Sequence, residues 1–243
     1  MTKEIEKWWE ETSQHYQEST KIGIGTAHYG PYAPDENELR LLGNVRGKKI
    51  LEIGCGGGQC SVAFAKQGAV CTGIDISKEQ LKFAENLAKK NKIKVNFTKG
   101  DIQTLKGIKS GSFDIVFSAF ALQYVPDLTK CFREVFRVLK KKGLFVFSLD
   151  HPFYDVINDK TFKIKTSYFE TGKMIEGKFV FYKRKVSDIL NSLIESKFSV
   201  EKMIEPLKLK VQKSWRGGRW DEIYPPKLVK LIGPTIIFKA VKK

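Results

Sequence analysis

The sequence is poor in the residues that bind metals or form disulfide bonds. Its 243 residues include three histidines and four cysteines, Cys55, Cys60, Cys71 and Cys131. No two of these cysteines have the spacing Cys-x-x-Cys, and together with the histidines they form no metal-ligand pattern. Four cysteines in a chain of 27.7 kDa exclude a disulfide scaffold. The pattern predicts reduced thiols and no metal site.

Long apolar runs are also missing. No stretch approaches the ~18 consecutive apolar residues of a membrane-spanning helix. The charged segment 1–11 lacks the apolar core of a secretory signal, so we expect a cytoplasmic protein without a membrane span. Hydrophobic residues make up 42% and charged residues 29% of the chain, which excludes a disordered or collagen-like protein. The length favours one large domain, residues 1–243, over two.

Arginine is scarce relative to lysine. The chain carries 43 basic and 27 acidic residues, a formal net charge of +16, and seven of the basic residues are arginines. An excess of positive charge can indicate a protein that binds nucleic acid or a membrane surface. Phosphate and base recognition rely on the bidentate guanidinium of arginine, however, and abundant lysine also occurs in lysine-biased or thermophilic proteomes. The charge alone therefore does not assign a nucleic-acid function.

From Lys49 onward, short apolar runs alternate with amphipathic helical patterns. Strands are predicted at 49–53, 69–75, 95–99, 113–118, 144–149, near 198–204 and at 235–240. Helices are predicted between them, among them a helix that Ser77 caps, with Leu81 and Ala84 facing inward and Gln80 facing outward. Strands that alternate with helices indicate an α/β fold, a parallel sheet doubly wound by helices on both faces.

Two regions fall outside this alternation. Residues 1–45 precede the first strand and contain a helix-like segment with Trp8 and Trp9. A second region interrupts the pattern after the fifth strand. In open α/β sheets ligands bind outside the carboxyl ends of the strands, so we expect both regions to overhang the site. The predicted organisation is an N-terminal lid (1–45), a cofactor-binding core (46–150), a substrate-side insertion (151–182) and a C-terminal helix with strands (183–243).

The strongest functional signal is the glycine-rich run Leu51-Glu-Ile-Gly-Cys-Gly-Gly-Gly-Gln59, which follows the first strand. It meets neither the dinucleotide pattern G-x-G-x-x-G nor the P-loop. Its glycines let the backbone turn tightly and approach a ligand without a Cβ in the way. Asp75 ends the second strand, where a carboxylate can accept both hydroxyls of a ribose. Asp101 and Ile102 follow the third strand, where an acid beside an apolar side chain can hold an adenine.

These motifs resemble those of the class I S-adenosylmethionine-dependent methyltransferases, in particular the small-molecule branch called type 11, most strongly over residues 48–150. The resemblance implies S-adenosylmethionine as cofactor and a Rossmann-like, seven-stranded, mostly parallel sheet with an antiparallel last strand. It implies that the run from Glu52 through Gly54 and Gly56 to Gly58 wraps the methionine end of the cofactor. It also implies contacts to the ribose from Asp75, to the adenine from Ile76, Asp101 and Ile102, and near the sulfonium from Ala119.

The resemblance identifies no catalytic residue. A methyl sulfonium is already activated, so the enzyme has to align the acceptor and exclude water, and it needs a base only if the acceptor loses a proton. His28 and His151 are candidate bases, and the alternative for His151 is a histidine hydrogen-bonded within its own turn. Tyr29 lies where the lid would close, and we expect it to contact the cofactor. Relatives of this branch commonly carry a histidine where this chain has Lys183.

The aromatic and apolar residues of the lid and the insertion favour a small-molecule acceptor that is methylated by in-line transfer. The alternative is an RNA methyltransferase, acting for example on tRNA, that uses the basic C-terminal third. In the segment 208–220 arginines and tryptophans interleave without an acid, which suits stacking on bases. The same segment can instead be a solvated loop whose tryptophans pack on the core or wall the substrate site. A weaker alternative is a non-catalytic cofactor-binding protein that acts as an interaction module.

Overall fold

The computed structural model describes residues 3–208 and 223–243. The strands are β1 (Lys49–Ile53), β2 (Val70–Asp75), β3 (Asn96–Lys99), β4 (Phe113–Ala119), β5 (Leu139–Asp150), β6 (Gly172–Glu176), β7 (Phe179–Lys183), β8 (Phe198–Ile204) and β9 (Thr235–Lys242). The α-helices are α1 (Lys3–Thr20), α2 (Glu36–Leu39), α3 (Gln59–Lys66), α4 (Lys78–Lys90), α5 (Leu128–Val138), α6 (Val186–Glu195) and α7 (Pro226–Val229). Short 3-10 turns occupy Leu122–Tyr124 and Tyr154–Val156.

Seven of the strands form one sheet in the order β3-β2-β1-β4-β5-β9-β8. Strands β1 to β5 are parallel to one another, and β9 is antiparallel to both β5 and β8. This confirms the predicted doubly wound, mostly parallel sheet with an antiparallel last strand. The chain order reverses between β1 and β4, and such a switch point leaves a crevice at the carboxyl ends of the strands.

Apolar side chains cover both faces of the sheet. In β1, the four residues after Lys49 are all buried, as expected of a central parallel strand. On one face α5 and α6 pack with Phe132 and Leu193. On the other face α3 packs Phe64 against Phe117 of β4, with the ring centroids 5.1 Å apart. Burial on both faces makes the sheet the rigid frame that holds its carboxyl ends in place.

The helix α1 and the hairpin β6–β7 meet beside the carboxyl ends of the strands. The rings of Trp8 and Phe179 lie 4.8 Å apart, and the hairpin residue Lys173 forms an ion pair of 2.9 Å with Glu4. The predicted lid and the predicted insertion therefore build one cover together. Within the described ranges, no helix is both long and apolar enough to cross a membrane.

Candidate functional site

A cavity opens under α1 at the carboxyl ends of β1, β2 and β4, and we call it the inner cavity. It encloses about 850 Å³, including space open to solvent. Many of the residues predicted from the sequence line it together: His28, Glu52, Gly54, Gly56, Asp75, Ile76, Ile102 and Ala119. The structure thus brings residues from the ends of four strands, β1 to β4, and from the predicted lid to one place.

The glycine turn after β1 is folded back onto β2. The N–H groups of Gly54 and Cys55 both donate to the carbonyl oxygen of Ile74, at 2.8 and 3.0 Å. Gly54 has a φ of 68°, and a Cβ at this position would lie 2.2 Å from the Cβ of Ala121. The turn therefore requires glycine for both its backbone conformation and its close approach to the chain after β4.

Asp75 closes the other side of this turn. Its Oδ2 accepts the N–H of Gly56 at 2.8 Å, and its Oδ1 accepts the N–H of Ser77 at 2.9 Å. Burial raises the pKa of this carboxyl to about 6, although the two N–H groups act in the opposite direction. The side chain is 8% exposed and is a wall of the cavity, so it presents fixed acceptor oxygens there.

Glu52 is a second buried acid of the inner cavity. It is 3% exposed, and the hydroxyl of Ser61 on α3 donates to its Oε2. Burial raises the pKa of Glu52 to about 8, with Ser61 acting in the opposite direction. A cationic group bound beside Glu52 would favour the ionised carboxylate, because opposite charges stabilise each other strongly away from water.

Tyr29, which was predicted to contact the cofactor, does not line the inner cavity. The ring is fully buried in the core, 5.6 Å from the ring of Phe117, and its hydroxyl donates to Glu36. Glu36 also accepts the N–H groups of Leu41 and Leu42 at 3.2 and 2.8 Å. Tyr29 therefore anchors the segment after the lid helix to the sheet.

Gly58 and Asp101 lie beside the cavity without lining it. Gly58 begins α3 with a φ of 76°, and a Cβ there would lie 2.8 Å from side-chain atoms of Ala84 and Phe97. Its need for glycine comes from packing between α3, α4 and β3. Asp101 accepts the N–H of Gln103 at 2.8 Å and orders the turn that presents Ile102 to the cavity.

The two candidate bases have different surroundings. His151 lies outside the inner cavity: its Nε2 is 2.8 Å from Glu205, and its Nδ1 accepts the N–H of Phe153. Both ring nitrogens are therefore engaged, which is the arrangement of the alternative prediction, a histidine hydrogen-bonded at its own turn. His28 does line the cavity, and burial lowers its pKa to about 4, so the ring is neutral near pH 7.

Three glutamines that the sequence did not single out join the lid to the inner cavity. Gln17 of α1 donates to Gln80 of α4 at 2.7 Å and accepts from Gln59 of α3 at 2.6 Å. All three line the cavity. The prediction that Gln80 faces solvent is wrong, since it is 1% exposed beneath α1. Ser77 caps α4 as predicted: its side chain accepts the N–H of Gln80.

A second cavity, which we call the outer cavity, adjoins the inner one. Both are lined by Trp9, Tyr16, Phe120 and Tyr124, which separate them. Its other walls come from the turn after β5 and from the hairpin β6–β7. The basic segment 208–220 lies outside the described residues except for Lys208, whose ammonium pairs with Glu38.

Sequence comparisons identify related proteins. Residues 51–147 match the family model described as a methyltransferase domain. An uncharacterized protein of Haemophilus influenzae is 30% identical over 210 residues, which are 79% of this chain and 82% of that protein. A ubiquinone biosynthesis O-methyltransferase of Coxiella burnetii is 35% identical over 104 residues, which are 43% of this chain and 44% of that enzyme. The second match therefore spans less than half of either protein.

Structural comparisons agree with the sequence matches. An S-adenosylmethionine-dependent methyltransferase from Mesorhizobium loti is similar with a TM-score of 0.68 and 27% identity, covering 84% of this chain and 96% of that chain. A Listeria monocytogenes protein at 22% identity shares the fold with a TM-score of 0.66, covering 86% of this chain and 96% of that chain. Taken with the glycine turn and the acids at the strand ends, these matches show that the chain belongs to the type 11 branch of the class I methyltransferases and is an enzyme that uses S-adenosylmethionine.

Proposed function

We propose that the inner cavity binds S-adenosylmethionine and that the enzyme methylates a small-molecule acceptor. The observation that carries the first part is the pairing of Gly56 with Asp75. A glycine-rich turn lies against a buried acid whose two oxygens each accept an N–H group. Each oxygen keeps a further lone pair for a hydroxyl group, which suits the ribose of a nucleoside.

The other walls of the inner cavity fit the remaining parts of this cofactor. Glu52, with its raised pKa, suits a site for the cationic amino group of the methionine part. Ile76 and Ile102 offer apolar surface for the adenine, and Ala119 leaves room near the reacting methyl group. We therefore assign Glu52, Gly54, Gly56, Asp75, Ile76, Ile102 and Ala119 to cofactor binding, and we assign packing roles to Tyr29 and Gly58.

The chain's own task in catalysis is to position the acceptor and keep water out. The cofactor supplies an electrophilic methyl group, to which the acceptor's lone pair bonds while the electron pair of the broken carbon–sulfur bond remains on sulfur. The lid helix α1 covers the inner cavity through Gln17 and Trp9, which limits the access of water. His28, neutral and with a pKa of about 4, is a weak base, so we assign it no proton transfer.

A small-molecule acceptor is supported by the shape and charge of the outer cavity. It lies next to the inner one, and its walls are aromatic side chains and carboxylates. Carboxylates repel phosphate groups, so this surface suits RNA poorly. The match to a ubiquinone biosynthesis O-methyltransferase also favours a small acceptor.

Isothermal titration calorimetry with S-adenosylmethionine tests the cofactor site. We expect Asp75→Asn to weaken binding about tenfold or more, because a charge-assisted hydrogen bond to the ligand is lost. Asp159→Asn, the same change at an exposed position outside the inner cavity, should bind like the wild type. Unchanged affinity of a folded Asp75→Asn variant would show that the site is misplaced.

A transfer assay tests the acceptor class. The enzyme is incubated with methyl-labelled cofactor and with separate small-molecule, RNA and protein fractions of a cell extract. We expect label in the small-molecule fraction, with none in a reaction that contains the Asp75→Asn variant. Label that enters RNA or protein instead would contradict a small-molecule acceptor.

A further inference from the structure

The outer cavity is built where an acceptor has to lie. Its walls come from α1, from the chain after β4, from the end of β5 with the following 3-10 turn, and from the hairpin β6–β7. It meets the inner cavity at Trp9, Tyr16, Phe120 and Tyr124. A molecule held in the outer cavity therefore lies across these rings from the proposed cofactor site.

The charge of this cavity is opposite in sign to that of the whole chain. Two lysines line it, Lys165 and Lys183, in a protein whose formal net charge is +16. Five carboxylates also line it: Asp150, Asp155, Asp159, Glu170 and Glu176. A cleft in which one sign of charge predominates attracts ligands of the opposite sign. The lining thus favours a cation over an anion.

Two buried polar atoms in its walls have no hydrogen-bond partner among the described residues. They are the Tyr154 hydroxyl and the Gln123 side-chain oxygen, and these side chains are 8% and 6% exposed. The amide nitrogen of Gln123 is already used, since it donates to the carbonyl of Phe120 at 3.0 Å. Buried polar groups in folded proteins nearly always have a partner, so the two atoms point to a polar ligand in this cavity.

Two of the acids that line the cavity, Asp150 and Asp155, interact with each other. Asp150 accepts the hydroxyl of Tyr224 at 2.8 Å, and Asp155 follows on the next 3-10 turn. Burial raises the pKa of Asp150 to about 6. Burial, and then the repulsion from Asp150, raise the pKa of Asp155 to about 8, with Lys165 and Lys183 acting in the opposite direction. A bound cation would relieve the repulsion between these carboxylates.

Aromatic rings line the same cavity as these acids. Phe179 lies 4.8 Å from Trp8 and 5.6 Å from Tyr124, and Tyr124 lies 5.6 Å from Trp9. These residues come from three separate elements and converge on one cavity. Aromatic faces bind ammonium groups through cation–π attraction, most strongly where water is displaced.

We propose that the outer cavity is the acceptor site and that it selects a small acceptor carrying a protonated amine. The ammonium group is held between the aromatic wall and the carboxylates of Asp150 and Asp155, with Gln123 and Tyr154 as further hydrogen-bond partners. The proposal rests on the proposed function, because it names the acceptor class of the same enzyme.

Three probes of similar size separate the classes of acceptor. They are phenethylamine, a cation at neutral pH, 2-phenylethanol, which is neutral, and 3-phenylpropionate, an anion. Binding to the full chain is measured by calorimetry at pH 7.5. We expect phenethylamine to bind about tenfold more tightly than the alcohol, because charge-assisted contacts exceed neutral ones by this order, and the anion to bind weakest.

Matched variants locate the contact. Asp155→Asn should reduce the affinity for phenethylamine about tenfold and leave that for 2-phenylethanol unchanged, while the control Glu85→Gln, at an exposed position of α4 outside both cavities, changes neither by more than about twofold. Tyr154→Phe should weaken phenethylamine binding without lowering the melting temperature, because it removes a hydroxyl that no described residue satisfies. A purely structural Tyr154 would lower the melting temperature instead.

The outcomes separate this proposal from the proposed function. Phenethylamine that binds no better than 2-phenylethanol overturns the proposal, and so does preferred binding of 3-phenylpropionate, which would assign Lys183 to an anionic acceptor. S-adenosylmethionine binding is measured in parallel and does not depend on the probes. If S-adenosylmethionine binds normally but phenethylamine is not preferred, only the amine proposal is overturned. If neither S-adenosylmethionine nor phenethylamine binds, the proposed function is overturned as well.

Discussion

The inner and outer cavities share a border but are built in different ways. The inner cavity lies at the ends of β1, β2 and β4, and its lining includes the glycine turn with Gly54 and Gly56 and the acid Asp75 that accepts a hydrogen bond from it. The outer cavity is made by side chains of α1, the segment after β5 and the hairpin β6–β7. The proposed cofactor site therefore lies at the strand ends of the sheet, and the proposed acceptor site lies mainly among the additions to the sheet.

The acids of the two cavities differ less than their walls. Glu52 and Asp75 accept hydrogen bonds from Ser61, Gly56 and Ser77, so the chain itself holds them in position. In the outer cavity, the charges of Lys165 and Lys183 lower the pKa of Asp155, against the larger effect of burial. The fold holds the two inner acids in place with hydrogen bonds, and in the outer cavity it holds Asp150 in the same way through the hydroxyl of Tyr224.

The largest effect should come from disturbing the main chain of the inner cavity. In Gly54→Ala the new Cβ overlaps Ala121 and the φ of 68° becomes strained. We expect cofactor binding to be lost and unfolding to become easier by about 2–5 kcal/mol, as measured by urea denaturation. Gly43→Ala is the control, because Gly43 has a φ of 67° with nothing within 4 Å of a Cβ, so backbone strain alone should cost about 1–2 kcal/mol. Equal destabilisation of the two variants would refute the close approach to Ala121.

A second effect concerns the pH dependence of stability through Glu52. Its pKa is about 8 in the folded protein and close to 4.5 in the unfolded chain, so between these values the folded state holds more protons. The stability that Glu52 contributes is therefore present below pH 4.5 and is lost as the pH rises to about 8. In Glu52→Gln the melting temperature of the cofactor-free protein should fall less between pH 6.5 and 9 than in the wild type.

The pH range and the control isolate this contribution. His28, with a pKa lowered to about 4, acts with the opposite sign below about pH 6.5, the usual pKa of histidine, so it adds little in the measured range. Glu85→Gln on the exposed side of α4 should keep the slope of the wild type. Parallel curves for Glu52→Gln and the wild type would mean that Glu52 is ionised in the folded protein.

The smallest effect should come from the lid. Gln17→Ala removes the hydrogen bonds that join α1 to Gln59 and Gln80, and we expect cofactor affinity to fall about three- to tenfold. Gln14→Ala on the same helix removes an exposed contact with Glu18 and should bind like the wild type. If both variants bind normally, α1 takes no part in holding the cofactor and the inner cavity depends on the sheet alone.

Much of the sheet and of the inner cavity could be predicted from the sequence. Buried parallel strands read as short apolar runs, and a glycine turn with an acid at the next strand end is a local pattern, so Gly54 and Asp75 were identified correctly as cavity residues. Tyr29 could not be placed, because a tyrosine in a loop reads the same whether it faces a ligand or bonds to Glu36 in the core. Gln80 looked like a surface residue because its cover comes from a helix 63 positions earlier.

The class of fold and the glycine turn after β1 could be predicted from the amino-acid sequence, because each depends on periodicity and spacing within a few tens of residues, and the family resemblance of these motifs implied the cofactor. Which polar side chains line the inner cavity depends on tertiary contacts. His151 pairs with Glu205, 54 positions away, and leaves the cavity, while Gln17, Gln59 and Gln80 enter it. The tertiary structure also gathered Asp150, Asp155 and the aromatic rings of α1 and β7 into one acidic cavity in a basic protein. Such contacts depend on how distant segments pack, so local sequence patterns do not predict them.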